Sequence, residues 1–448
     1  MSGIIAADQI EIKEIAIRSE KFQTGKKLYV AGEDQTPVAV ALDIFENIYY
    51  PYLTGYLYMS DDNDVVRTIQ ARGTERLDVV LRSPGATTFI EKTFIISSMP
   101  KSVKVNDTTS HLLLELTEDH GYFNEIQKIN KAYKGTGPEI IKKIVEDNTT
   151  KKLKLGYYQD VDQPEMRYVV PWQSSYQAVN TVMRNITTPS YLPYFFFSTL
   201  SSNNLILADL ETIMRRPAFN KDIRPYTFSR AGLNKNASLE EIAFNIGSIQ
   251  TDHTNDTLTM AKKGALGSYV ETLDSLTGQA LPSRIDMREE FKRVINNNPE
   301  VFQGLDIPID RFFRVDDKPI DLITDYNSKI FSSIACSPYK DFNGLASDNL
   351  SILKILIKNN FIRHMGNNSF NIFVPGLAFG IDKLDRSVGS QINIRILKDG
   401  AGDGPNPYDE RRSGDYIMMS KRHIFDIVDN THNVVMRVGR IAEPKRLN

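Results

Sequence analysis

The residues able to do chemistry in this 448-residue chain are few and scattered. Its six histidines are His111, His120, His253, His364, His423 and His432. They contain no HExxH pattern and no two at i and i+4, so a helical zinc site lacks its ligands. Cys336 is the single cysteine, which excludes an intramolecular disulfide framework and a cysteine-rich metal site and fits a reducing compartment. It reads as a small buried hydrophobe rather than a nucleophile. No G-x-S-x-G elbow is present to anchor a serine hydrolase. Asp119 beside His120 has the composition of a base with its orienter, but neighbours on a strand point to opposite faces. The run Asp61, Asp62, Asn63, Asp64 resembles the start of a calcium loop, yet no glycine follows at the sharp turn and no glutamate closes the roughly 12-residue loop; it reads as a solvated turn. Gly135 and Gly137 precede a helix without the Lys-Ser/Thr of a phosphate cradle. Four consecutive aromatics, Tyr194 to Phe197, must lie on both faces of a strand and so read as core rather than as a platform for nucleobases. The expectation is no catalytic residue, no cofactor-binding residue, no metal ligand and no cofactor: a chain that is not an enzyme. Its 56 Asp and Glu residues leave a carboxylate pair for glycoside hydrolysis open.

The elements that would position such residues are mostly strands. Residues 10 to 118 read as β structure: IEIKEIAI, VAVALDIFENIYY, TGYLYMS, TIQARG, RLDVVLR, then FIISSMPKSVKVNDTTSHLLLEL. After residue 118 the texture changes. Thr136 as cap, Pro138 in the first turn and Ile140, Ile141, Ile144 and Val145 on one face predict a helix over 138–147. Ser174 or Ser175 caps a second, burying Tyr176, Val179, Val182, Met183 and Ile186. YFFFSTLSSNNLILADL is a hairpin turning at Ser201 to Asn204. Residues 215–350 carry weak signals: SRIDMREEFKRVINN is helical, whereas Pro299 to Asp348 is punctuated by Pro, Asp and Gly and reads as irregular. Ser347 or Asp348 then caps a helix burying Leu350, Leu353, Leu356, Ile357 and Phe361.

One β unit is written twice. Residues 94–116 lie on residues 416–438 without a gap over 23 positions, an offset of 322; nine of the ten apolar residues of the first find an apolar partner, and Ile95, Ser98, Asp107 and Thr109 recur as Ile417, Ser420, Asp429 and Thr431. Upstream, Leu77, Val79 and Leu81 meet Ile392, Ile394 and Ile396 at an offset of 315, each run ending at Gly85 or Gly400. The seven-residue change is a loop insertion, since Ala86 to Thr93 is 8 residues and Ala401 to Asp415 is 15 and rich in Gly, Pro and Asp. Alternation, a polar turn and alternation again make both copies antiparallel β units with one buried face.

Composition bounds what such a chain can do. Its length allows two to four domains. A formal charge of −2 with 25% charged residues is no polyelectrolyte signature and argues against binding nucleic acid through a basic surface. MSGIIAADQIEIKE has no basic start and turns acidic early, so no secretion leader is expected, and no run of about 18 apolar residues is present to span a bilayer.

With a β unit at each end, a Pro171-Trp172 dipeptide leading into a Ser174 helix start, and a closing strand of the type Gly414, Tyr416, Ile417, the chain resembles the central baseplate hub protein of contractile-tailed bacteriophages, whose fold is shared with the hub of type VI secretion spikes and with tail tube proteins. The resemblance implies a mainly β fold with an α+β middle domain and two tail-tube-like β-barrels related by internal duplication. It places the first barrel at 1–118, the middle domain at 119–237 plus 279–349, and the second barrel at 238–278 plus 350–448. It further implies a structural subunit of the virion tail baseplate, assembled in the host cytoplasm as a homotrimer whose six barrels present quasi-sixfold symmetry to a hexameric tail tube and threefold symmetry to a trimeric spike. The partners so implied are the spike protein, the tail tube or its initiator, and baseplate wedge proteins, with DNA only in transit through the channel and no membrane insertion. No spike-forming extension is expected beyond residue 448, so a hub would need a separate spike polypeptide. Two other classes stay open: a tail-associated carbohydrate-binding module using Trp172 and the tyrosines, and a cell-wall hydrolase. Two details bear on assembly. Glu115 falls opposite Arg437 in the repeat, a charge difference that would help barrels alternate around a ring, and the Ala401 to Asp415 loop with Asp409, Glu410, Arg411 and Arg412 is a candidate partner contact.

Overall fold

The structure is a computed structural model that describes residues 6–19, 25–32, 38–62, 73–154, 161–162, 165–228, 237–251, 256–273, 278–302, 304–309, 313–315, 318–320, 329–334, 345–398 and 407–444. Cys336, His253, Asn63, Asp64, most of the expected TIQARG strand and residues 399–406 of the long loop lie outside the described residues.

The chain is mainly β, and the strands that matter most belong to one sheet. Its members are β1 (Glu11–Arg18), β2 (Lys26–Val30), β3 (Ala39–Asn47), β4 (Thr54–Asp61), β5 (Arg76–Arg82), β6 (Ile90–Lys104), β7 (Ser110–Glu118), β8 (Tyr226–Phe228), β9 (Ser248–Gln250), β10 (Ser369–Pro375), β11 (Gln391–Ile396), β12 (Gly414–Asp426) and β13 (Thr431–Gly439). They run in the order β9-β10-β13-β12-β3-β4-β7-β6-β5-β1-β2, with β11 on β12 and β8 on β11. Alternating apolar residues bury one face of most of these strands, as in β7, where Leu112, Leu114 and Leu116 point inward.

The registers of the two ends coincide pair by pair. Leu77↔Phe94 and Asp78↔Thr93 in β5·β6 become Ile392↔Tyr416 and Asn393↔Asp415 in β11·β12. Ile96↔Leu116 and Ser98↔Glu115 in β6·β7 become Met418↔Val438 and Ser420↔Arg437 in β12·β13, with a bulge at the same place in both. Gly55↔Leu116 through Ser60↔His111 in β4·β7 become Phe370↔Val438 through Pro375↔Asn433 in β10·β13. Leu42↔Leu57 and Asp43↔Tyr56 in β3·β4 become Ile249↔Ile372 and Gln250↔Asn371 in β9·β10. The cores follow suit: Leu57, Leu77, Phe94, Ile96 and Leu114 share one cluster, and their counterparts Ile372, Ile392, Tyr416, Met418 and Met436 share another. The likeness ends at the flanks, since β1 is antiparallel to β5 whereas β8 is parallel to β11.

Between the two ends lie two smaller α/β layers. Helix α1 (Asp119–Ile126) continues β7, and α2 (Gly137–Asn148) starts at a Thr136/Glu139 capping box while α3 (Ser175–Arg184) starts at a Ser174/Gln177 box. Helices α2 and α3 pack on the sheet of Tyr194–Phe197, Leu205–Asp209 and Leu153–Lys154. The four aromatics divide as expected between two faces, Tyr194 and Phe196 entering the core under α2 and α3, and Phe195 and Phe197 the neighbouring core. That core joins α4 (Met287–Asn297) to α5 (Leu345–Asn367), with Phe291 4.8 Å from Phe361.

Three expectations need correction. Gly267–Leu273 does not join the main sheet but pairs with Ala280–Asp286 and Ile330–Ile334, while Tyr226–Phe228 does join it, through β11. The stretch from Pro299 is not irregular throughout: Leu305–Asp306 pairs with Glu443–Pro444, and Phe313–Val315 with Lys318–Ile320. Strands of two to five residues leave no period to read. Helix α5 begins at Leu345, so Ser347 and Asp348 lie inside it rather than at its cap. No helix among the described residues is long and apolar enough to cross a membrane.

Candidate assembly interface

The place where the two similar units meet is a ladder, not a loop. Strand β3 pairs antiparallel with the second half of β12, from Ser420↔Asn47 to Asp426↔Ala41, while β11 occupies the first half of the same edge. Period-two alternation then fixes two faces. Leu42, Ile44 and Glu46 point inward with Phe425, His423 and Lys421, and Phe45 and Asn47 lie on the other face with Arg422, Ser420 and Asp43, the last covered to 2% exposure.

The inward face closes on charge. Glu46 is 2% exposed; its Oε1 accepts from the Leu200 amide at 2.5 Å, and its Oε2 lies 3.8 Å from His423 Nε2, an ion-pair distance too long for a hydrogen bond. Burial pushes this carboxyl up, but His423, Lys421 and the Leu200 N–H outweigh it and hold it at about 2. Burial lowers the Lys421 ammonium to about 8, against the pull of Glu46; it donates to the Arg386 carbonyl and sits 4.3 Å over the Phe379 ring. His423 Nδ1 and His432 Nε2 are 3.0 Å apart across the β12–β13 hairpin, and His432 stacks on Phe425 at 4.5 Å. Burial, then the charges of His423 and Lys421, drive the His432 pKa far down, so its ring is neutral. Gly376 makes room for it: a methyl there would overlap the imidazole.

The outward face is an open recess lined by Phe45, Asn47, Thr54, Asn371, Arg422 and Arg437. Arg422 donates to Asp43 at 2.8 Å across the two units. Arg437 donates to Ser369 Oγ at 2.9 Å, whereas Glu115, at the matching register position of the first unit, accepts from Ser98 at 2.5 Å. The two units thus carry opposite charges at one position.

A second charged cluster ties the first unit to the middle layer. Glu118, 1% exposed, accepts from the Leu53 amide at 3.0 Å, Ser198 Oγ at 3.0 Å and Lys151 Nζ at 2.9 Å, with His120 Nε2 at 3.0 Å and Lys92 Nζ at 3.8 Å. Burial raises the Glu118 pKa, and His120, Lys92 and Lys151 overcome it, leaving the group well below the usual range. His120 Nδ1 also meets the Tyr176 hydroxyl. The acid partner of His120 is therefore Glu118 and not Asp119, whose Oδ1 accepts from the His120 amide. The carboxylates of both clusters are buried, and their charged contacts tie neighbouring elements together.

The remaining sequence candidates are dispersed. His364 is buried in α5 and donates from Nε2 to the Ala265 carbonyl at 2.8 Å, its pKa lowered to about 4 by burial; His111 stands exposed on β7. Gly135 lies in a strand, and Gly137 opens α2 against Ile186. Asp61 ends β4 opposite Ser110. Trp172 is 70% exposed at φ 52°. In the long loop, Arg411 meets Glu443 and Arg412 meets Asp409. No group of three or more His, Cys, Asp or Glu able to hold a metal occurs among the described residues.

No protein-family model matches the chain, and no curated protein sequence matches it. Solved structures do. The 43 kDa tail protein of prophage MuSo2 from Shewanella oneidensis aligns over 96% of this chain and 98% of its own at 10% identity and a TM-score of 0.50. A tail protein from Neisseria meningitidis aligns over 95% and 96% at 11% identity and a TM-score of 0.48. A type VI secretion system component from Escherichia coli aligns over 94% and 78% at 10% identity and a TM-score of 0.39. The end-to-end match shows that this chain shares the fold of that prophage tail protein.

Proposed function

We propose that the chain is a structural subunit of a phage tail baseplate hub, in which three copies close into a ring that joins a hexameric tail tube to a trimeric spike around the genome channel. The observation that carries this reading is the repeated register: two β units of matching pairing and matching cores, laid side by side in one sheet. Such a chain is half-way to a cyclic assembly, because each copy contributes two similar positions to the ring and three copies contribute six. Internal duplication is the simplest origin of two units that agree down to the position of a bulge. The domain division 1–118, 119–237 plus 279–349, and 238–278 plus 350–448 is part of the proposal, with Tyr226–Phe228 moved to the second barrel and Gly267–Leu273 to the middle domain. The partners are a spike, a tail tube or its initiator and surrounding wedge proteins, and the location is the virion tail.

The test is a mass measurement in solution. Three chains of 50.8 kDa make a particle of about 152 kDa (3 × 50.8). A stable trimer is expected, and a monomer at micromolar concentration overturns the reading.

A further inference from the structure

The two-stranded ribbon of Ala132–Gly135 and Met166–Val169 is a sheet of its own, and only one of its faces is covered. Tyr133 and Met166 enter the core under α2 and α3. The other face carries Ala132, Lys134, Arg167 and Val169, all exposed. On it Lys134 and Arg167 are direct cross-strand partners, a placement in which like charges repel. Neither forms an ion pair among the described residues: Glu139 is taken by the Thr136 amide at 2.9 Å, and Asp147 by Lys131 at 2.6 Å. Lys143 of α2 brings a third cation, donating to the Lys134 carbonyl at 3.1 Å.

Further along, the ribbon leads to Trp172, the only tryptophan of the chain. The Val170 amide bonds the Lys131 carbonyl and the Ile129 amide bonds the Gln173 carbonyl, so Pro171 and Trp172 together oppose Asn130, a bulge of two residues against one. Trp172 occupies this bulge at φ 52°, a left-handed conformation that glycine adopts freely and a bulky residue rarely does. Pro171 before it and the Ser174/Gln177 capping box after it fix the chain on both sides. The residue is nevertheless 70% exposed, and Val169 is 65% exposed. Core packing therefore does not account for the strained backbone, and strain held at so exposed a side chain points to a contact outside the chain.

We propose that this face docks another protein, which receives Trp172 in an apolar pocket and sets carboxylates against Lys134 and Arg167. The charge argues for an acidic partner, because the two opposed cations lack a counter-charge within the ribbon. What lies between argues for a protein. Val169 and Ala132 separate the cations from the indole over roughly 15 Å of ribbon, and a protein surface covers apolar residues that a sugar or phosphate chain would leave wet. Tryptophan and arginine are also the residues that most often anchor such contacts. The ribbon belongs to neither of the two similar β units, so the inference stands without the ring.

As the sole tryptophan, Trp172 reports on the site by its own fluorescence in the full chain. The probe is a soluble random copolymer of glutamate and tyrosine, with heparin, duplex DNA and phosphatidylglycerol vesicles run beside it. With the copolymer, emission is expected to shift to the blue and acrylamide quenching to fall, both effects weakening as salt is added. Binding of labelled copolymer, read by anisotropy, should weaken about tenfold or more in Trp172→Gly and in Lys134→Glu. Neither variant should lose stability in urea, since glycine suits φ 52° and Lys134→Glu turns the opposed cations into an ion pair with Arg167. Unchanged binding in both variants overturns the proposal, as does no response to any probe. Binding lost together with a lower urea midpoint in both variants makes the face structural and overturns it too. A response to heparin, DNA or vesicles as strong as that to the copolymer overturns the protein partner, and quenching that falls on self-association alone overturns it in favour of a second copy of this chain.

Discussion

Replacing Glu46 by Gln should weaken the junction between the two units by an amount that depends on pH in a defined direction. The carboxyl is held at about 2 instead of 4.5, against burial, by His423, Lys421 and the Leu200 amide. That gap corresponds to about 3 kcal/mol of stabilisation at neutral pH. Because the folded value lies below the unfolded one, the stabilisation is complete above about pH 4.5 and is lost as pH falls toward 2. Glutamine keeps an acceptor for the Leu200 amide but sets an uncharged NH2 beside Lys421 and His423. Urea unfolding followed by circular dichroism, with a slope of about 3 kcal/mol per molar, should show the midpoint of the variant about 1 M lower at pH 7. The gap should close as both proteins are taken from pH 4.5 to 2. An equal gap at pH 7 and pH 2.5, or none at pH 7, would refute the assignment of this charge as the element that fixes the junction.

Three further outcomes are expected. Glu118→Gln should cost about 3–5 kcal/mol, because it leaves Lys92 and His120 buried without their counter-charge; in a Lys92→Met background the cost should fall by at least about 1 kcal/mol, and an equal cost in both would show the two groups to be uncoupled. Gly376→Ala should cost about 1–3 kcal/mol in thermal or urea unfolding by pressing on His432, with part recovered in Gly376→Ala/His432→Ala, and no recovery would place the strain elsewhere. Arg437→Glu gives both units the same charge at one register position and should weaken trimerisation roughly tenfold in sedimentation, a change of about 1.4 kcal/mol; unchanged trimerisation would discard the idea that charge alternation guides assembly.

The β units were legible because one buried face forces a period of two, and the same physics makes two copies of a unit look alike at a fixed offset. The signal for both buried clusters was in the same pattern. Glu118 continues the inward series Leu112, Leu114, Leu116, and Glu46 continues Leu42, Ile44, so each had to be a buried carboxylate in need of a cation. Reading His120 only against its neighbour Asp119 overlooked this. His423 and His432 are nine residues apart in sequence but face each other across a hairpin, a proximity that no i, i+4 search detects. The place of β9 could not be read from three residues, and only the ladder to β10 identifies it as the partner of β3 in kind. The parallel pairing of β8 with β11 likewise depends on tertiary placement.

The double occupancy of β12 has a mechanical side. Its first half is bonded within its own unit and its second half to β3, so a pull on one unit along the strands reaches the other through the whole ladder from Ser420 to Asp426 at once. Load in that direction is borne in shear, with all the bonds sharing it, whereas a pull across the strands would open them one after another. A sheet built this way is stiff along its strands and weakest at its lateral seams.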